Sequence, residues 1–266
     1  MTAQPEPRSG LVGHPLICMA IFATLYSVLL LATDAWQLAD GTTLLRPSYG
    51  LTVAAMLLLT RRCVPVVLIV SGLLGAAYAS MNDLDSGRLL LLAVGDPLGA
   101  LLTALLAALL TRGSIEIDRH RAMAALCAVL LLAPGLQAMV ASTVGPVTET
   151  WASASLAALL IVPFAASWAR PAPAASQEGS RRGLAEAVVA VALPAVSVYA
   201  LGTATLPLGV TLPGVLLVFL ILLWGGVRRS PRITTAALLT SGAIAAWHLA
   251  ERGRQLQGLA DLDRAI

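Results

Sequence analysis

The chain has 266 residues, 58% of them hydrophobic and 12% charged, with a mean hydropathy of +0.85. A soluble chain of this length carries roughly a quarter of its residues as charges, so a water-covered globular domain is excluded and most of the surface must face lipid. The 17 basic residues, all arginine, exceed the 14 acids only slightly, and they stand in short groups between apolar stretches, which points to control of topology and away from nucleic-acid binding.

The expected fold is an all-α polytopic transmembrane helix bundle. About 20 apolar residues at 1.5 Å rise cross a ~30 Å hydrocarbon core, so runs without charge mark the segments. Residues 1–14 read as a cytoplasmic tail. The first segment, 15–33, is too long for a signal-peptide core and has no small-x-small cleavage site after it, so it reads as a retained anchor. The stretch 47–60 is short for a span; it starts on Pro47, which suits a first helical turn, and invites a tilted or partly re-entrant helix. Arg61 and Arg62 separate it from 63–81. The run 89–111 is long enough to cross but contains Asp96 and Pro97.

Two further spans cover 122–142 and 151–169, and Arg170 then opens an exposed Pro/Ala/Ser-rich loop reaching Gly183. From Ala187 to Val227 no charge occurs, which suffices for two helices, with Pro207, Gly209 and Pro213 offering a turn between them. A last run covers 233–249. The count is eight or nine membrane segments within a domain of residues 15–250, followed by a tail, 251–266, whose Leu256, Leu259, Leu262 and Ile266 suit a short amphipathic helix.

With the N-terminus inside, cytoplasmic segments hold twelve arginines (8, 61, 62, 112, 119, 121, 170, 181, 182, 228, 229 and 232), whereas the outer loops hold Arg46 and Arg88 together with Asp34, Asp40, Asp83, Asp85 and Glu149. A plasma-membrane protein with a cytoplasmic N-terminus follows. Nine crossings place the tail outside. If 47–60 does not cross fully, the tail falls inside.

Among polar residues within spans, Asp96 is the most informative, because a carboxylate at membrane depth faces a bundle interior or a wet cavity. Gly95, Pro97 and Gly99 loosen the helix around it. The alternative is a helix starting near Val94 with Asp96 wet at its end. The turn Arg46-Pro47-Ser48-Tyr49-Gly50 places a cation, a hydroxyl, a phenol and a close-approach glycine at one helix start, where an anion is favoured. Arg46, Tyr49 and Asp96 are expected to converge on one outward-opening polar cavity. Trp36 and Trp151 fall at outer interfaces and Trp168 and Trp224 at inner ones, while Gln137, after Pro134-Gly135, suits an interhelical hydrogen bond.

Cys18, Cys63 and Cys127 lack the paired spacing of a zinc or redox site, and His14, His120 and His248 are far apart, so no cofactor or metal is expected. Neither a nucleophile elbow, nor a zinc-protease helix, nor a P-loop is present, and no catalytic residue is assigned. A weak internal echo links Arg61-Arg62-Cys-Val-Pro65 to Arg228-Arg229-Ser-Pro231, with Ser71-Gly72 and Ser241-Gly242 further along.

In their order, several motifs resemble the MASE1 family, an integral membrane sensory domain. Pro47-Ser48-Tyr49-Gly50-Leu51 is similar to its Pro-Pro-x-Gly helix start, with Arg62 and Pro65 as in the next connection. Gly95-Asp96-Pro97-Leu98-Gly99-Ala100 is similar to its Gly-Asn-x-x-Glu-Ala helix, Trp151 with Pro163 to a Trp-bearing helix closing on proline, and Trp224-Gly-Gly-Val-Arg228 to its Trp-x-x-x-Arg. Ser48, Asp96 and Ala154-Ser155 depart from the pattern, so the family's polar residues in the sixth segment do not transfer.

The resemblance implies a sensory or ligand-binding input module without catalysis. Its ligand site would draw on Arg46, Pro47, Tyr49, Gly50, Asp96, Trp151, Trp224 and Arg228. Its surroundings would be membrane lipids, an unknown small-molecule ligand and a partner such as a histidine kinase, a diguanylate cyclase or a membrane transporter. A small-solute transporter or transporter subunit is the competing expectation, from Asp96 and the Pro/Gly-broken helices. The orientation has a direct test: reporter fusions at Gly179 and after Ile266 should report inside and outside respectively, and a cytoplasmic signal from both would mean one crossing fewer, at 47–60.

Overall fold

A computed structural model describes residues 15–37, 43–110, 120–140, 147–169, 181–203 and 231–265, almost all of them helical. The helices are α1 (Pro15–Leu31), α2 (Pro47–Leu58), α3 (Val64–Met81), α4 (Ser86–Leu90), α5 (Asp96–Leu110), α6 (His120–Val140), α7 (Val147–Ala169), α8 (Arg181–Thr203) and α9 (Pro231–Ala265). Among the described residues there is no strand, only an isolated antiparallel bridge between Gln37 and Thr43.

Five stretches are long and apolar enough to cross a membrane: Leu16–Trp36, Arg61–Met81, Ser86–Leu110, Thr150–Ala169 and Arg232–Arg252. Shorter apolar helices occupy Pro47–Leu58, Ala124–Met139 and Val188–Ala200. The second half of the long charge-free run, with its Pro207/Gly209/Pro213 turn, lies outside the described residues, as do Trp224 and Arg228.

Residue size decides which face of each helix is inside. On α3 the buried stripe is Val67, Ser71, Gly75 and Ala79, while Val66, Ile69 and Leu73 are exposed. On α5 the buried stripe is Gly99, Ala100, Thr103, Ala104 and Ala107, and Leu98, Leu102, Leu105 and Leu109 point out. Burying small residues and exposing large apolar ones suits lipid: hydrocarbon welcomes leucine, and helices approach one another only where side chains are short. The share of the spanning window that is buried reaches 61% for Thr150–Ala169 against 22–33% for the other four, which makes α7 the central helix.

Proline explains the break before α5. Pro97 has no N–H for the carbonyl of Ala93, four residues earlier, and the turn ahead of it widens into a π turn over Leu91–Gly95. The carbonyls of Leu92 and Ala93 press against the glycines of α3: a Cβ on Gly72 would stand 2.6 Å from the Ala93 oxygen, and one on Gly75 2.5 Å from the Leu92 oxygen. The start of this composite helix is fixed earlier than Val94, because the Asp85 carboxylate accepts from the N–H groups of Gly87 (2.9 Å) and Arg88 (3.0 Å). Asp96 is therefore the eleventh residue of Ser86–Leu110, roughly 15 Å along it at 1.5 Å per residue.

α2 has 12 residues, about 18 Å of helix, well short of a ~30 Å core. Its Arg61 end is exposed whereas its Arg46 end is buried, so it enters the bundle only part-way. At the other end of the chain, α9 runs unbroken for 35 residues. The tail expected as a separate short helix is a continuation of the last spanning helix.

The glycine contacts set a testable contrast. Gly75→Ala forces a methyl into a backbone carbonyl and should lower unfolding stability by about 1–3 kcal/mol. Gly135→Ala meets Trp151 at an ordinary 3.4 Å and should change it by less than about 1 kcal/mol, both read by denaturant titration in detergent.

Candidate functional site

The N-terminal end of α2, the first turns of α5, the part of α6 that follows Pro134 and the first turns of α7 enclose a polar cluster. At its centre Arg46 Nη2 lies 2.6 Å from Asp96 Oδ2, with both side chains at or below 10% exposure. Gln137 Nε2 donates to the other carboxylate oxygen, Oδ1, at 2.8 Å, and Gln137 is itself buried. The carboxylate thus accepts from two helices besides its own. Unpaired, it would carry the desolvation cost of a charge in a low-dielectric interior; paired and hydrogen-bonded, it offsets that cost.

Arg46 is held by its backbone as well. Its N–H points to the Ser153 carbonyl of α7 at 3.4 Å, and its own carbonyl accepts from Tyr49 N (3.1 Å) and Gly50 N (3.5 Å), which closes the first turn of α2. Pro47 fits at the head of that turn because its missing N–H has no partner to lose there. Gly50 is required by close approach: a Cβ would lie 2.5 Å from the Ala157 carbonyl oxygen of α7. Tyr49 hydroxyl and Thr103 Oγ1 are 2.8 Å apart, and Thr103 donates to the Gly99 carbonyl at 2.9 Å, so a second polar pair lies beneath the first on the same face of α5. Tyr26 of α1, also buried, is close enough to interact electrostatically with both Asp96 and Arg46.

α6 is shaped to present Gln137. Pro134 lies inside it, without an N–H for the Leu130 carbonyl, and the next carbonyl along, that of Leu131, receives two donors from α7, Trp151 Nε1 at 2.7 Å and Ser155 Oγ at 3.0 Å. Backbone oxygens in a proline-broken membrane helix need such external donors, since lipid supplies none. Trp151, exposed on the bundle surface, turns its indole to α6.

The structure brings Arg46, Tyr49, Asp96, Pro47 and Gly50 together and sets Trp151 behind them. The cluster is enclosed, with Arg46, Tyr49 and Asp96 all buried, where an outward-opening cavity was expected. Thr103, Ser153 and Tyr26 were not anticipated. Thr103 had a signal, since seven residues after Asp96 is two helical turns on the same face; Ser153 contributes only a backbone carbonyl, which no side-chain pattern reveals. Among the described residues no group of three His, Cys, Asp or Glu stands close enough to hold a metal.

No family model matches the chain, and neither a curated protein nor a solved structure matches it.

The pairing predicts a stability pattern. Asp96→Ala leaves a buried guanidinium without its counter-ion and should cost about 3–5 kcal/mol. The double variant Arg46→Gln/Asp96→Asn, which keeps shape and removes both charges, should recover most of that loss. Chemical unfolding in detergent measures both, and a loss below about 1 kcal/mol for Asp96→Ala would mean a solvated pair.

Proposed function

We propose that the chain is an integral membrane input module that binds a small polar ligand at the Arg46–Asp96–Gln137 cluster and passes the bound state to a partner, with no catalysis of its own. The observation that carries this reading is a buried ion pair at the buried start of a half-length helix. A purely structural interface in lipid is made more economically from small residues alone, as the α3 face illustrates. The ordered motifs resembling the MASE1 sensory family support the same reading, and suggest a histidine kinase, a diguanylate cyclase or a transporter as the partner class. The arrangement fits a plasma-membrane protein with its N-terminus inside. Five long and three shorter apolar helices among the described residues support a count of about eight membrane segments.

A transporter is the second reading, favoured by one observation: α2 is short, α5 is preceded by a π turn, and α6, α7 and α8 each contain a proline. Broken helices around a mid-depth polar site are how many transporters bind solute.

One experiment separates the two. The full chain in nanodiscs is screened for thermal stabilisation by a broad panel of small polar solutes, and the same solutes are tested for flux into proteoliposomes. Stabilisation without flux is expected. Saturable flux abolished by Asp96→Asn would establish transport instead, and neither stabilisation nor flux across the panel would overturn both readings.

A further inference from the structure

We infer that the ligand class of the Arg46–Asp96–Gln137 site is a small zwitterion, a carboxylate and an ammonium held a few bonds apart, as in an α-amino acid or a betaine. The inference rests on the reading of this cluster as a ligand site and specifies what enters it.

The site offers both halves of such a ligand a partner. On the donor side, the guanidinium contacts Asp96 through Nη2 only, and α2 begins without any side-chain cap on its first turn. A guanidinium fork beside an uncapped helix start is a carboxylate-binding arrangement. On the acceptor side stands the Asp96 carboxylate, with Gln137 Oε1, a buried oxygen that has no hydrogen-bond partner and lies against Gly99 one turn further along α5. An unpaired buried acceptor next to a carboxylate is matched by an ammonium or by its N–H groups.

Charge balance then selects among ligands. The resting pair is neutral, and each member compensates the other at 2.6 Å. A simple anion that captured Arg46 would strand Asp96 without its counter-ion, and a simple cation that captured Asp96 would strand Arg46. Either leaves an uncompensated charge in a low-dielectric interior, which is strongly disfavoured. A zwitterion inserted between them gives each residue a new counter-ion in the same step and leaves the net charge at zero. The internal pair thus serves as the stand-in for the ligand when the site is empty.

The test uses the full chain in nanodiscs with glycine, alanine and glycine betaine as probes, and acetate and methylammonium as the separate halves. At least one zwitterion should bind saturably and raise the melting midpoint, while acetate and methylammonium, singly or mixed, should bind at least ten-fold more weakly. In the charge-free double variant Arg46→Gln/Asp96→Asn, checked first for an unliganded melting transition, zwitterion affinity should fall at least ten-fold. Affinity kept in that variant would place binding elsewhere and overturn the inference. A singly charged or uncharged solute from the broad panel that binds while no zwitterion does would overturn the zwitterion but leave the ligand site standing. Failure of every solute in the panel would sink the site and the inference together.

Discussion

The Arg46–Asp96 ion pair sets the terms on which the surrounding helices pack. A charge at membrane depth cannot be left to solvent, so each member must keep its partner, and the partners come from segments fifty residues apart. Because Gln137 occupies the second carboxylate oxygen and Ser153 takes the Arg46 N–H, the same few atoms tie α2 to α5, α6 and α7. The other contacts of this region presuppose that arrangement. Gly50 can touch the α7 backbone, and Tyr49 can reach Thr103, only because the start of α2 is drawn to mid-depth.

Breaking the helices is what makes the cluster possible. A regular helix satisfies its own backbone and leaves no polar group to meet another segment. Pro97 and Pro134 each remove an N–H; the carbonyls of Leu92 and Ala93 close against α3 where Gly72 and Gly75 leave room, and that of Leu131 accepts from Trp151 and Ser155. The same logic appears at the α7–α9 contact, where Ser167, three residues past the Phe164 carbonyl it donates to, shares a 2.8 Å hydrogen bond with Thr235, and Arg232 donates to the Ser167 carbonyl while lying over the Trp168 ring.

Much of this architecture was legible in the sequence, because hydrophobic runs and their breakers are local features. The short 47–60 segment, the role of Pro47, the convergence of Arg46 with Asp96, and the interhelical role of Gln137 follow from span length, proline chemistry and the cost of charge in lipid. What was not legible depends on geometry between segments. Whether Asp96 is wet or buried turned on where its helix begins, and that is decided by the Asp85 cap and by a π turn that shifts the register, neither of which hydropathy encodes. The closed character of the site escaped for a related reason: Tyr26 of α1 and Tyr49 of α2 are both buried in one core cluster, and residues from separate helices come together only in three dimensions. The tail helix was inferred from the spacing of Leu256, Leu259, Leu262 and Ile266; that spacing is helical, but the helix it belongs to is the one that starts at Pro231.

The central position of α7 determines how a change at the ion pair reaches the rest of the molecule. The start of α2 lies directly on α7, where the contact of Gly50 with the Ala157 backbone leaves no side chain between them. One helical turn further on, Leu160 of α7 lies against Gly242 of α9, and near its end Ser167 is joined to Thr235. α7 thus joins the start of α2 to α9, a helix of 35 residues.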